Sequence, residues 1–189
     1  MGKQEKRDLT IRPLPGYPVE IGAWLWTMAD SRRRTKNWLE GISQEVIDWV
    51  PPDGVNTIGT LLYHIAAVEM EWLHFDVLGL DEYPPEVKDL LPYPAHDEQD
   101  NLTRVAGELL ETHLERLDAC REIFLKAFEE IDPHTFTHAR ETESSMVTPQ
   151  WVVHLLAQHE ADIRGQIGEL RTRAEIALGI KSKTEAYGG

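Results

Sequence analysis

The sequence predicts an all-α protein: a four-helix bundle with long connections between its helices. Four stretches carry apolar residues at helical spacing, while no stretch shows the alternation typical of strands and no internal repeat is present. The length of 189 residues suits a single domain with a sizeable core and would make two full domains small.

The first two predicted helices run from about residue 19 to residue 39 and from Asn56 to Gly79. Gly41 suits the position just after the end of the first helix, and Asn56 suits the N-cap of the second. Each helix has one apolar stripe. The stripes are Ile21, Trp24, Leu25, Met28 and Trp38, then Leu61, His64, Ile65, Val68, Trp72 and Phe75.

The third and fourth predicted helices cover about residues 101 to 130 and 148 to 179. Pro133 follows the third, and Thr148 with Pro149 forms an N-cap and first-turn proline for the fourth. The stripe of the third is Leu102, Val105, Leu109, His113, Leu117, Cys120, Phe124 and Phe128; that of the fourth is Val152, Leu155, Leu156, His159, Ile163, Gln166, Ile167 and Leu170.

These helices define one domain, residues 19–179, between an irregular N-terminal arm (1–18) and a flexible C-terminal tail (180–189). The connections at 81–100 and 132–147 are long enough to cross the bundle, so neighbouring helices in the chain need not be neighbours in space. The acidic, proline-rich 81–100 segment is a candidate lid or dimer contact. The cluster Arg32, Arg33 and Arg34 interrupts the first apolar stripe, and we predict a solvated face for it.

The composition excludes several classes of protein. A net charge of −14 argues against nucleic acid or an anionic membrane as a partner, because both require a basic surface. The charged N-terminal sequence lacks a signal peptide, and no apolar run approaches the length of a membrane span, so we expect a cytoplasmic protein. Cys120 is the only cysteine, which rules out an intrachain disulfide, and its place on a core stripe predicts an unreactive thiol.

Two histidines, His64 and His159, lie on the apolar stripes of separate predicted helices. A single histidine in such a position is more often a hydrogen-bonded core residue than a ligand. Two of them on different helices of a bundle favour a metal site, because facing helices commonly build such sites and imidazole binds zinc, nickel and iron. Catalytic zinc needs three protein ligands. The candidates for the third are Asp162, Glu71 and His113, and the remaining histidines are predicted to lie on the surface or in loops.

The stretches NTIGTLLYHIAAVEMEW (from Asn56) and HEADIRGQIGEL (from His159) resemble the DinB/YfiT-like superfamily of proposed metalloenzymes. The resemblance implies a four-helix bundle, usually dimeric, with one metal-binding histidine on the second helix and a His-x-x-x-His pair on the last. By position, His64 and His159 match the first two ligands. The third position is Ile163, which cannot bind a metal. Either the site has lost its metal, or another group completes it: Asp162, one helical turn from His159, or a water or substrate atom.

The resemblance also implies hydrolase or thiol S-transferase chemistry on a small-molecule substrate not defined by the sequence. We predict a divalent metal (zinc, nickel or iron) at His64, His159 and Asp162, with Glu71 as the general base. The alternative is a metal-free homodimeric module for ligand binding or stress response, which keeps the fold without the site. Its pocket would be lined by Trp24, Trp72 and Trp151, which otherwise pack in the core.

Overall fold

The computed structural model describes residues 8–52, 54, 56–142 and 145–180. Residues 1–7 of the predicted arm and 181–189 of the predicted tail lie outside this range. The all-α prediction is confirmed. The four long helices are α1 (Val19–Leu39), α3 (Ile58–Glu71), α5 (Leu110–Glu129) and α7 (Pro149–Leu178).

Short elements occupy the connections between the long helices. They are α2 (Gln44–Ile47), α4 (Pro85–Leu90), α6 (Pro133–Thr137), and the strands β1 (Arg140–Glu141) and β2 (Met146–Val147). The two strands pair antiparallel, with Arg140 opposite Val147. The 81–100 and 132–147 connections are therefore partly ordered and pack against the bundle.

The ends of α7 are where the sequence predicts them. The Thr148 hydroxyl accepts a hydrogen bond from the backbone N–H of Trp151 at 3.0 Å, and Pro149 occupies the first turn. Gly179 follows the helix in the left-handed region, with φ of 67°, which costs glycine little. Local chemistry decides both ends of this helix.

The second predicted helix differs at both of its ends. Thr57, not Asn56, is the N-cap, because its hydroxyl accepts from the Thr60 N–H at 2.9 Å and also donates to the Val105 carbonyl at 3.0 Å. After Glu71 the chain continues as a single π-helical turn, Trp72–Val77. The contact with Val105, 48 residues further along the chain, has no local signal in the sequence.

The third predicted helix begins at Leu110, nine residues later than expected from the apolar pattern. Leu102 forms an isolated β-bridge with His96, and the Val105 N–H donates to the Thr60 hydroxyl at 3.0 Å. Gly107, with φ of 79°, separates this extended segment from α5. The apolar residues that resembled a first helical turn therefore attach a loop to α3.

Three helix–helix interfaces hold the bundle together: α1 packs against α7, α7 against α3, and α3 against α5. Within the described residues, α1 and α5 make only sparse contact, and a cleft of about 360 Å³ lies between them. The core is formed by buried aliphatic and aromatic side chains of all four helices, among them Leu25, Leu61, Phe124 and Ile167.

At the centre of the bundle, each long helix contributes one buried charge: Arg32, Glu69, Arg121 and Glu160. These four residues, here called the buried quartet, are 2–9% exposed. Arg32 contacts Glu69 at 2.9 Å and Glu160 at 2.8 Å. Arg121 contacts the same two carboxylates at 2.6 Å and 3.4 Å. Arg32 also donates to the Leu117 carbonyl at 2.6 Å, so the quartet joins α1, α3, α5 and α7 through charge-assisted hydrogen bonds.

The quartet corrects the prediction of a solvated arginine cluster. Arg33 and Arg34 do follow it, since both are largely exposed and pair with Asp30 on the surface. Arg32 contradicts the prediction, because the rotation of about 100° per residue along the helix directs its side chain into the core. There it donates hydrogen bonds to the carboxylates of Glu160 and Glu69.

Arg32→Met should lower the free energy of unfolding by about 3–5 kcal/mol, because removing one partner leaves an uncompensated buried charge. The matched control is Arg33→Met, which removes the same side chain from an exposed pair and should cost less than about 1 kcal/mol. Urea unfolding followed by circular dichroism measures both. Similar losses in the two variants would contradict a central role for the quartet.

The quartet also predicts sensitivity to acid. Burial raises the pKa of Glu69, but the charges and hydrogen bonds of Arg121 and Arg32 outweigh burial and hold this pKa below its ordinary value of 4.5. Such a carboxyl stabilises the fold above its unfolded-state pKa and loses that contribution as pH falls through the folded-state pKa. The free energy of unfolding should therefore decrease below about pH 4.5, and less steeply in Arg32→Met. Equal pH dependence of the free energy of unfolding in the wild type and Arg32→Met would contradict the role of Arg32 in lowering the pKa of Glu69.

Candidate functional site

His64 on α3 and His159 on α7 meet in the seam between these helices. Their Nε2 atoms are 3.3 Å apart, and their ring centroids are separated by 5.1 Å. Both side chains are partly buried. The structure therefore brings together the two histidines that the sequence singles out, although 95 residues separate them in the chain.

An aromatic pair two helical turns away extends the same seam. The rings of Trp72 and Trp151 are in edge contact, with centroids 5.3 Å apart. The spacing along α3 from His64 to Trp72 equals the spacing along α7 from Trp151 to His159, which places the helices antiparallel and in register. Trp151 is 46% exposed, so this end of the seam is an accessible apolar wall rather than core.

Burial keeps both imidazoles neutral. It lowers the pKa of His64 to about 4, with smaller contributions from the neighbouring rings of His159 and His96. It also lowers the pKa of His159, although the charges of Asp162 and Glu160 act in the opposite direction. A neutral imidazole has a free lone pair, so at pH 7 both rings are in the state that binds metals.

The other predicted site residues lie further from the pair. Asp162 is exposed on α7, and its charge acts on His159. Glu71 is exposed two turns beyond His64, about 10 Å along the helix axis. Ile163, at the third position of the family pattern, is 5% exposed and packs in the core.

His113, the third candidate by sequence, belongs to a different cluster. It is 1% exposed, and its Nδ1 lies 3.4 Å from Arg116 and 3.8 Å from Glu108. Its Nε2 faces Gly59, where a Cβ atom would approach within 3.0 Å. His113 thus packs against the start of α3, more than one turn before His64.

Of the histidines predicted to be surface or loop residues, His74 is buried, whereas His96 is exposed in a loop as predicted but lies against His64. His74 is 2% exposed, and its Nδ1 lies 2.8 Å from the Met70 carbonyl inside the π-helical turn. His96, in the loop before α5, lies edge-on to His64 with ring centroids 6.2 Å apart. No sequence pattern indicates the position of His96, because it depends on how the loop returns to α3.

The histidine pair fits part of a metal site. Two imidazole nitrogens bound to one tetrahedral zinc ion, each at about 2.0–2.1 Å, lie about 3.3 Å apart, as the two Nε2 atoms do here. Among the residues that the structure describes, no three His, Cys, Asp or Glu side chains approach closely enough to hold a metal ion. The Nδ1 atom of His64 is buried and has no hydrogen-bond partner, whereas metal-binding histidines usually donate from the second nitrogen.

A family model described as the DinB superfamily matches residues 27–167. The chain belongs to the DinB superfamily. The match extends from α1 into α7 and includes His64, His159 and Ile163. A comparison with curated proteins finds no significant match. None of the described helices has both the length and the apolar character required to cross a membrane.

The only thiol of this DinB-superfamily chain, that of Cys120, is not suited to act as a nucleophile. Cys120 on α5 is fully buried, and burial, with a smaller contribution from Glu69, raises the pKa of its thiol to about 12. A thiolate nucleophile at neutral pH requires a lowered pKa and access to solvent. Any thiol used in a transfer reaction would therefore come from a substrate.

Proposed function

We propose that this DinB-superfamily protein binds one divalent metal ion through His64 and His159 and acts as a hydrolase or thiol S-transferase on a small molecule. The observation that carries the proposal is the 3.3 Å separation of the two Nε2 atoms, which matches two ligands of one tetrahedral metal. The low pKa of His64 supports it, since the ring is ready to bind without losing a proton.

A bound metal would supply Lewis-acid chemistry by lowering the pKa of a water or a substrate thiol. The chain would hold the two imidazoles in register through the α3–α7 seam. Trp72 and Trp151 would offer an apolar surface to the substrate beside the pair. Glu71 is the proposed general base; at about 10 Å along α3 it would act through a water or a bound substrate.

The proposed metal is zinc, nickel or iron, and Asp162 is the carboxylate of α7 available to it. We also propose a cytoplasmic homodimer, which the resemblance to DinB/YfiT-like proteins suggests. A net charge of −14 favours a small molecule over nucleic acid as the binding partner.

A second candidate is a metal-free module for ligand binding or stress response. It is favoured by Ile163, which fills the third ligand position with a buried aliphatic side chain. It is also favoured by the His64 Nδ1 atom, which lacks the outer partner typical of metal ligands. In that case the seam with Trp72 and Trp151 would bind an apolar ligand directly.

Elemental analysis of the untagged protein separates the two candidates. We expect about one metal ion per chain in the wild type and almost none in His64→Ala or His159→Ala, because each loses half of the proposed donor pair. The control is His138→Ala, which removes an exposed histidine from another part of the chain. A metal-free wild type after dialysis against zinc and nickel would reject the enzyme proposal in favour of the module.

Ile163→His should tighten zinc binding by at least about tenfold, because it adds an imidazole one turn beyond His159 on the same face of α7. Ile167→His is the control, since it places the same side chain another turn away at an aliphatic position that is also buried. Calorimetric titration measures both variants after circular dichroism has established that they fold. Equal affinities for the two would show that position 163 does not face the histidine pair.

A further inference from the structure

His96 lies beside His64 because the loop that carries it is attached to α3 at two points, one before and one after His96 in the chain. The Tyr63 hydroxyl donates to the Tyr93 carbonyl at 2.6 Å and accepts from the Tyr93 N–H at 2.9 Å. Thr60, one turn before His64, accepts from the Val105 N–H at 3.0 Å. Tyr63 is adjacent to His64, so both attachments flank the candidate site.

The backbone around His96 forms a small closed loop. The Thr103 N–H donates to the Ala95 carbonyl at 3.1 Å, and the Asp97 N–H donates to the Asn101 carbonyl at 2.8 Å. These bonds bracket His96 and hold its backbone over α3. The side chain itself is exposed, and no hydrogen bond to another described residue restrains its ring.

We propose that His96 is the third protein ligand of the metal site, with His64 and His159, in place of the missing histidine at position 163. This proposal rests on the metal-binding function proposed above. It assigns the third ligand to a loop, whereas the superfamily resemblance assigns it to α7. Three imidazoles would leave the fourth position of a tetrahedral metal open to water or substrate, as catalytic zinc requires.

The two ring separations that involve His64 support this set, although among the described residues the three side chains must still move closer together to hold a metal ion. Imidazoles on one tetrahedral zinc ion have centroids about 5 Å apart, given zinc–nitrogen bonds of about 2.0–2.1 Å. His64 and His159 are already at 5.1 Å, and His64 and His96 are at 6.2 Å. A closure of about 1 Å is within the reach of rotamer changes in an exposed, unrestrained side chain.

The rival third ligand is Asp162, which is exposed on α7 three residues after His159. The two assignments differ in a measurable way. If His96 is the ligand, the NMR signal of one of its ring nitrogens shifts when the metal binds. If Asp162 is the ligand, the His96 signals do not change, and removal of the Asp162 carboxylate weakens metal binding.

The test is zinc titration of the chelator-treated full-length protein by calorimetry, for the wild type, His64→Ala, His159→Ala, His96→Ala, Asp162→Ala and the control His138→Ala. We expect His96→Ala to weaken zinc binding by at least about 100-fold, beyond the 10- to 100-fold typical of losing an outer-shell partner. His138→Ala should change it by less than about threefold, because it removes a histidine that is also exposed but stacks on His134, away from His64. Long-range proton–nitrogen NMR should show one ring nitrogen of His96 shifting when zinc is added.

The outcomes separate this inference from the proposed function. If the wild type binds zinc through His64 and His159 while His96→Ala binds as tightly, the third ligand is not His96 and the proposed function stands. A loss confined to Asp162→Ala would then identify the carboxylate. If the wild type binds no zinc, or His64→Ala binds it equally well, both the proposed function and the His96 assignment are wrong.

Discussion

The buried quartet is the interaction on which the arrangement of the four long helices depends. Arg32, Glu69, Arg121 and Glu160 come from four separate helices, and each cation contacts both carboxylates. Removing these charges from water is costly unless every one is paired with good geometry. A helix that rotated or slid would break at least two contacts and leave a buried charge unpaired, so the quartet disfavours alternative packings of the bundle.

The quartet also supports the candidate site, because it acts on the two helices that carry the histidines. Glu160 is adjacent to His159 on α7, and Glu69 lies little more than one turn beyond His64 on α3. Fixing these carboxylates to Arg32 and Arg121 fixes the register of the α3–α7 seam, where the two imidazoles meet. The carboxylate of Glu160 is committed to the arginines, and burial of the two imidazoles keeps the histidine pair neutral.

The sequence predicts an element correctly when the interactions that define it join residues close together in the chain. The caps of α7 are local, and Thr148 and Gly179 act as their sequence predicts. The start of α5 is not local, because the apolar residues before it are held by Thr57 and Thr60 of α3. For the same reason Arg32 was indistinguishable from its neighbours Arg33 and Arg34: its partners are 37 and 128 residues away.

The sequence by itself determined the helical class, the approximate helices, and the choice of His64 and His159, since periodicity, capping and motif spacing are properties of short stretches. Only the tertiary structure decided that these imidazoles meet at 3.3 Å, that Ile163 packs in the core, and that His96 lies over His64. Each of these depends on which groups far apart in the chain become neighbours, and that is set by packing and by the pairing of buried charges.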